Sequence, residues 1–383
     1  MSTFSLSKRL EEFPEYLFVR LMREVESVEK AAGRKVLSFG VGNPDIPPSQ
    51  KYLEKYAEFV EEPDAHSYPD ARRSYEFTDA IIAWYQKRFN VSLERSEVLP
   101  LLGAKEGIAH LPLALCDQGD EVLVPDPGYL AFAGPTLAFG AKPVSYDLLP
   151  KDNFSLSVDE IKKKLTPRTK YMWINFPSNP TGAVANLSQL EPLVAFAKEK
   201  GVPIAYDNAY SEITFDGFVA PSILQIPGAK DIAIEFGSMS KSFSFAGFRI
   251  GWAVGNRDIV RALAKVKSQV DSGLSIPLQR LGAYALNNDD ASWRASAVAT
   301  YKERRDVVAK KLQKLGLTFD TPKGSLYLWA KIPDSAKDSE SYCMQMLKER
   351  HVLFAPGSAY GAQGERYIRV SICVDIDKID EYL

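Results

Sequence analysis

Tyr171-Met-Trp-Ile-Asn175, the stretch Leu187 to Lys200 and Pro203-Ile-Ala-Tyr-Asp207 follow one another, and their reading decides the fold. The first and third are short apolar runs closed by a polar residue. The second has helical spacing and stops at Gly201. Strand, helix, strand at this rhythm means parallel strands joined by a crossover helix. The runs Glu121-Val-Leu-Val-Pro125 and Ile232-Ala-Ile-Glu-Phe236 extend the pattern on either side. Ser74 to Phe89 has helical spacing, and Gly103 to Leu115 reads as a second helix that opens at a glycine. The expected class is α/β, with a large domain built on a mostly parallel sheet between helices. Such sheets bind ligands at the carboxyl ends of their strands. The residues just after each run are therefore the candidates for chemistry.

Farther out the texture changes. Arg9 to Ala31 mixes apolar and charged residues at roughly helical spacing, with Pro14 near its start. Val36-Leu-Ser-Phe-Gly-Val-Gly42 reads as a strand running into a turn at Asn43-Pro44-Asp45. Beyond about residue 275 come a long charged helix (Ser292 to Leu315), a strand (Lys323 to Ala330), a helix (Ser339 to Arg350) and a strand (Tyr367 to Cys373). This is the pattern of a smaller α+β domain. The expected division is 43–275 for the large domain, with 1–42 and 276–383 forming the small one. The end at Asp380-Glu-Tyr-Leu383 is abrupt, so the last helix is expected to be cut short.

The chain has 383 residues, too many for one ordinary core. Apolar residues make up 45% and charged residues 25%, the balance of a folded soluble protein. A formal net charge of −2 offers no basic field for nucleic acid or an anionic membrane. Cys116, Cys343 and Cys373 are sparse and widely spaced, which argues against a disulfide framework and a zinc site. His66, His110 and His351 are equally scattered, so no metal is expected. Met1 to Lys8 holds no apolar run that could serve as a signal sequence, and every apolar segment is too short to span a bilayer. A cytoplasmic location is the expectation.

Ser238-Met-Ser-Lys-Ser242 follows the strand run ending at Phe236, and Ala246-Gly-Phe-Arg-Ile-Gly-Trp252 follows it in turn. A lysine between two hydroxyls, with an arginine eight positions later, can serve one ligand that carries both an aldehyde and a phosphate. The amine forms an imine, while hydroxyls and a guanidinium hold phosphate oxygens. Alone the motif is weak, and a surface lysine in a loop would explain it as well. Its company changes that. Gly247-Phe-Arg-Ile-Gly251, Asn179-Pro-Thr-Gly182, Tyr206-Asp-Asn-Ala-Tyr210 and Tyr367-Ile-Arg-Val-Ser371 stand around it. Taken together and in this order, the motifs resemble the class I/II aminotransferases of fold type I, over essentially the whole chain.

That resemblance implies pyridoxal 5'-phosphate as cofactor, held by Lys241 as a Schiff base. Lys241 would also be the base and acid of the proton shift once substrate displaces it. Asp207 would pair with the pyridine nitrogen and keep it protonated; in isolation it would pass for an ordinary strand-end carboxylate. Asn179 and Tyr210 would bond to the ring's phenolate oxygen, though Asn179 also suits a plain Asn-Pro turn. Gly103, Ala104 and Lys105, at a helix start, would join Ser238, Ser240 and Arg249 around the phosphate. Lys105 stands where the family often has a small hydroxyl residue, and Gly103 alone would suit a simple helix start. Tyr129, in Asp126-Pro-Gly-Tyr129, would stack on the pyridine ring. Arg369 would clamp the substrate α-carboxylate with two parallel bonds. Gly42 belongs to a segment that would close over the substrate. Tyr68, in Ser67-Tyr-Pro-Asp70, would reach the phosphate of a neighbouring subunit, which implies a homodimer with shared active sites.

The implied reaction is a ping-pong transfer of an amino group from an amino acid to a 2-oxo acid. Phe13-Pro-Glu-Tyr-Leu-Phe18 and Gly103-Ala-Lys-Glu-Gly-Ile-Ala-His110 look most like the branch that uses LL-diaminopimelate, aspartate or alanine with 2-oxoglutarate. The same apparatus would also serve a β-lyase or a decarboxylase. A non-enzymatic effector-sensing module on this fold would carry a DNA-binding domain ahead of it, and only about forty residues precede Gly42.

Overall fold

A computed structural model of the chain describes Ser7 and residues 17–69 and 75–383. Pro14, the Phe13 to Tyr16 part of the opening motif, Asp70 and Ser74 lie outside the described residues. In chain order the strands are β1 (Leu37–Ser38), β2 (Val98–Leu101), β3 (Glu121–Asp126), β4 (Lys142–Asp147), β5 (Thr169–Asn175) and β6 (Ile204–Asp207). Then come β7 (Ala233–Ser238), β8 (Gly251–Gly255), β9 (Tyr327–Lys331), β10 (Val352–Leu353), β11 (Ala355–Pro356) and β12 (Tyr367–Ser371).

Seven strands form the large sheet in the order β2-β8-β7-β6-β5-β3-β4. Only β8 runs against the rest, pairing antiparallel with both β7 and β2. The central runs are apolar throughout because both faces are covered. Tyr171 and Trp173 pack on one face with Ile108, Leu111 and Leu263, from helices Ala104–Leu115 and Arg257–Val270. Met172 and Ile174 pack on the other with Leu190, Leu193 and Ile81, from helices Leu187–Lys200 and Tyr75–Phe89. A period of two thus feeds two cores from one strand.

Local chemistry sets the helix ends. Asn186 caps Leu187–Lys200 by accepting from Gln189 N–H, the Gln189 side chain returns the bond, and Gly201 closes the helix at φ 66°. Asp338 caps Ser339–Arg350 by accepting from Ser341 N–H, and a left-handed His351 closes it. Both helices have the limits expected from sequence. The strand expected over Val36 to Gly42 shortens to β1. The one expected over Lys323 to Ala330 starts only at Tyr327, because Gly324 bridges Thr214 and Ser325 takes φ +66°.

A second core lies around the three-stranded sheet β11-β12-β9. Leu326, Leu328, Ile368 and Val370 pack there with Tyr301, Val308 and Leu312 of helix Ala291–Lys314 and with Met346. Helix Ile276–Asn287 sits elsewhere: its Leu281, Ala283 and Leu286 share a core with Phe77 and Ile81 beside the large sheet. The N-terminal segment reaches the small sheet through Phe39, whose carbonyl accepts from Ser371 N–H at 2.8 Å. That contact lays residues 40–42 beside Arg369.

Candidate active site

The carboxyl ends of β5, β6 and β7 place Asn175, Asp207 and Ser238 on one edge of the large sheet. β2 ends at the same edge, two residues before Gly103. β8 runs the other way and so begins there, which brings Arg249 to the edge two residues before it. The edge opens into a cavity of about 410 Å3. Twelve of the fourteen residues singled out from sequence line it: Gly42, Ala104, Lys105, Tyr129, Asn179, Asp207, Tyr210, Ser238, Ser240, Lys241, Arg249 and Arg369; Gly103 stands beside it against Arg249. Tyr68 stands apart. It is 82% exposed and does not face this cavity.

Lys241 lies in the short turn of helix Met239–Ser242 and donates from Nζ to Gly42 O at 2.8 Å. The Nζ also stands 5.9 Å from the Tyr210 ring centroid. Asp207 is buried, and among the described residues its carboxylate has one hydrogen bond, from Ala209 N–H at 3.2 Å. Burial pushes its pKa up to about 7, against the lowering effect of the Ala209 N–H bond. Asn175 fixes the surrounding backbone: its Nδ2 donates to Asp207 O at 2.9 Å, and its Oδ1 accepts from Asn179 N–H at 2.9 Å. Tyr210 is buried, and its hydroxyl lies 3.1 Å from that of Tyr327. Burial first, and then Tyr327, pushes the Tyr210 pKa well up.

At the other end of the cavity, Ser238 Oγ accepts from Ser240 N–H at 3.2 Å. Arg249 donates to Ala246 O at 2.8 Å and to Ser240 Oγ at 3.4 Å. Arg249 holds φ +58°, a left-handed conformation uncommon for a side-chain-bearing residue and typical of functional sites. Gly103, at φ +77°, lets the start of helix Ala104–Leu115 come up to the guanidinium: a Cβ there would lie 2.5 Å from Arg249 Nη2.

Arg369 is buried in β12, donating to Asn179 Oδ1 at 2.8 Å and to Gly40 O at 2.6 Å. Its guanidinium carbon stands 4.2 Å from the Tyr327 ring centroid and 4.8 Å from that of Tyr360. Tyr327 lines the cavity beside Val41, Ile108, Ala209 and Ala246, none of them picked out from sequence. The one signal for Tyr327 is a tyrosine between Leu326 and Leu328 in an apolar strand, all three buried in one core. Asn175 closes an apolar run, and as a strand-end residue it was open to notice.

Among the described residues the cavity wall carries Lys105, Lys241, Arg249 and Arg369 against one carboxylate, Asp207. Four cations to one anion suit a ligand with at least two anionic groups. Among the described residues no cluster of His, Cys, Asp and Glu could hold a metal ion, and no helix is long and apolar enough to cross a membrane.

Comparison with known proteins agrees with this geometry. The family described as aminotransferase class I and II matches residues 34–383. An LL-diaminopimelate aminotransferase of Dehalococcoides mccartyi (strain CBDB1) is 39% identical over 377 residues, 98% of this chain and 96% of that protein. Among solved structures, substrate-bound BacF from Bacillus subtilis superposes with a TM-score of 0.92 at 30% identity, covering 99% of this chain and 96% of that one. An aminotransferase from Staphylococcus aureus gives 0.87 at 32%, covering 98% and 96%.

The residues present fit pyridoxal phosphate. A buried carboxylate that burial pushes toward holding a proton suits a protonated ring nitrogen. A helix start, two serines and an arginine brought together by a left-handed glycine suit a phosphate. With that fit, and with a family match over most of its length, the chain belongs to the class I and II aminotransferases and is a pyridoxal-phosphate-dependent transaminase of fold type I.

Proposed function

We propose that the chain takes its amino group from LL-diaminopimelate, or failing that from aspartate or alanine, and passes it to 2-oxoglutarate. The relatives' names support the first donor. The observation that carries the transaminase reading is Lys241, Asp207 and Arg369 lining one cavity, an amine for the aldehyde, a carboxylate for the ring and a guanidinium for the α-carboxylate. Bound pyridoxal phosphate supplies an aldehyde that accepts the amine and a ring that draws electrons from the adjacent C–H bond.

The side chains divide the remaining work. Lys241 Nζ holds the cofactor at rest, then takes the proton from the substrate Cα; for either task it must leave its bond to Gly42 O. Asp207 holds the ring proton, which in turn stabilises the ionised carboxylate at a buried position. Asn179 and Tyr210 donate to the ring oxygen, and Tyr129 covers the ring. Ser238, Ser240, Arg249 and the backbone at Gly103 and Ala104, with Lys105 near the helix start, hold the phosphate. Arg369 grips the α-carboxylate in place of its present bond to Gly40 O, while Gly42 lies over the substrate.

The working unit in this reading is a cytoplasmic homodimer in which the exposed Tyr68 enters the partner's site. The chain divides into a large domain from residue 43 and a small one completed by residues 1–42. Helix Ile276–Asn287, just past the expected boundary at 275, shares its core with Phe77 and Ile81 beside the large sheet.

The test mixes cofactor-loaded enzyme with single amino acids and follows the visible cofactor band. LL-diaminopimelate should bleach it and yield a keto acid without ammonia. Bleaching by aromatic amino acids alone would contradict the substrate, and ammonia release would point to a lyase instead.

A further inference from the structure

Tyr327 touches more of the site than any motif suggested. It is 3% exposed at the start of β9. Its strand partner in β12 is Ser371, so Arg369, two residues back, is its diagonal neighbour on the same face. This register puts the guanidinium over the Tyr327 ring at 4.2 Å. The Tyr327 hydroxyl meets two further elements. It lies 3.1 Å from Tyr210 Oη, and a Cβ at Gly42 would come within 2.0 Å of it, so it has little room to swing. On the backbone side, Tyr327 O lies 2.8 Å from where a Gly182 Cβ would stand. The Asn179 to Gly182 loop therefore rests on the same residue.

Each phenol has one proton and two acceptor lone pairs. Two hydroxyls 3.1 Å apart share one hydrogen bond, and its direction matters. If Tyr210 donates to Tyr327, its proton is used there and cannot serve the cavity. If Tyr327 donates, the Tyr210 proton is free to point inward, and the accepted bond strengthens it as a donor. Arg369 favours the second arrangement: its guanidinium lies against the Tyr327 ring, 4.2 Å from the centroid, and a cation on a phenol's ring face makes its hydroxyl a better donor.

We propose that Tyr327 is a positioning residue for both halves of the site: its hydroxyl turns the Tyr210 O–H toward the cofactor, and its ring face holds the Arg369 guanidinium for the substrate carboxylate. This rests on the roles proposed above for Tyr210 and Arg369. Two variants separate the halves. Tyr327→Phe keeps the ring and loses only the hydroxyl. It should raise the pH midpoint of the lysine-bound cofactor's visible band by about 0.5 unit, and Tyr210→Phe should raise it further. Tyr327→Leu also removes the ring face. It should weaken binding of succinate, a non-reacting carboxylate followed through the same band, by about fivefold, while Tyr327→Phe binds succinate like the unaltered enzyme. Should the leucine variant not fold, Tyr327→Met replaces it.

A raised midpoint in Tyr210→Phe with none in Tyr327→Phe overturns the hydroxyl's part and leaves Tyr210 in its role. No movement in either variant removes both. Equal succinate affinity with and without the ring overturns the ring's part. If Arg369→Lys also binds succinate normally, the carboxylate role of Arg369 falls with it.

Discussion

Asp207 sits where burial opposes ionisation, and that has a consequence for the cofactor-free protein. Its folded pKa is pushed up to about 7, whereas in an unfolded chain an aspartate titrates near 4. Between those values the folded state binds more protons, so unfolding free energy falls as pH rises. The stability contribution is full below about pH 4 and lost as pH climbs through 7. The melting temperature of the cofactor-free protein should therefore drop between pH 5 and 8 more steeply than that of Asp207→Asn; parallel curves would refute this. With cofactor added, Asp207→Asn should bind it and lose most turnover. Arg249 gives a second residue-scale prediction. Arg249→Lys keeps the charge but loses the planar fork, so cofactor should bind about tenfold more weakly. Unchanged affinity on titration of the cofactor would count against a phosphate contact. Both residues stand out in the sequence, Asp207 at the end of an apolar run and Arg249 eight positions after Lys241 in Gly247-Phe-Arg-Ile-Gly251. Tyr327 does not: its place depends on the register of β9 against β12, which no local pattern encodes.

Elements bring these residues together, and the turn at Gly103 does so at the closest quarters. Gly103→Ala would force an L side chain to φ +77° and set its Cβ 2.5 Å from Arg249 Nη2. We expect a stability loss of about 1–2 kcal/mol from the backbone alone, together with poorer cofactor retention as the guanidinium shifts. Denaturant unfolding and cofactor titration check the two parts; a stable variant that holds cofactor normally would contradict both. At this scale legibility followed the strength of local signals. Leu187–Lys200 and Ser339–Arg350 were readable to the residue because each has a side-chain cap before it and a left-handed residue after it. β4 escaped notice because Lys142-Pro-Val-Ser-Tyr-Asp147 is an edge strand with mixed exposure. β2 contains Pro100, and β8 is only five residues between glycines, so neither shows the long apolar run of a central strand.

Across the whole molecule, the cavity is walled by the seven-stranded sheet and the three-stranded one. Lys241, Asp207 and Arg249 come from the edge of the large one, while Arg369 and Tyr327 come from the small one and Gly42 from the segment tied to it. Motif order made the pairing of these two walls legible. The sequence reading assigns helix Ile276–Asn287 to the small domain, whereas its side chains share a core with Phe77 and Ile81 beside the large sheet, a packing that no local pattern encodes. The shared-site dimer is testable at this scale. Lys241→Ala should be inactive, and Tyr68→Ala should retain cofactor poorly. Dimers mixed from the two should contain one intact site and regain activity on exchange of subunits. Mixtures no more active than the sum of the parents would contradict a shared site.

The most direct test concerns Lys241 itself. Borohydride reduction of the cofactor-loaded protein, followed by peptide mapping, should leave one pyridoxyl group on the peptide carrying Ser238 to Ser242, attached at Lys241. An unlabelled protein, or label on another lysine with Lys241 unmodified, would contradict the account.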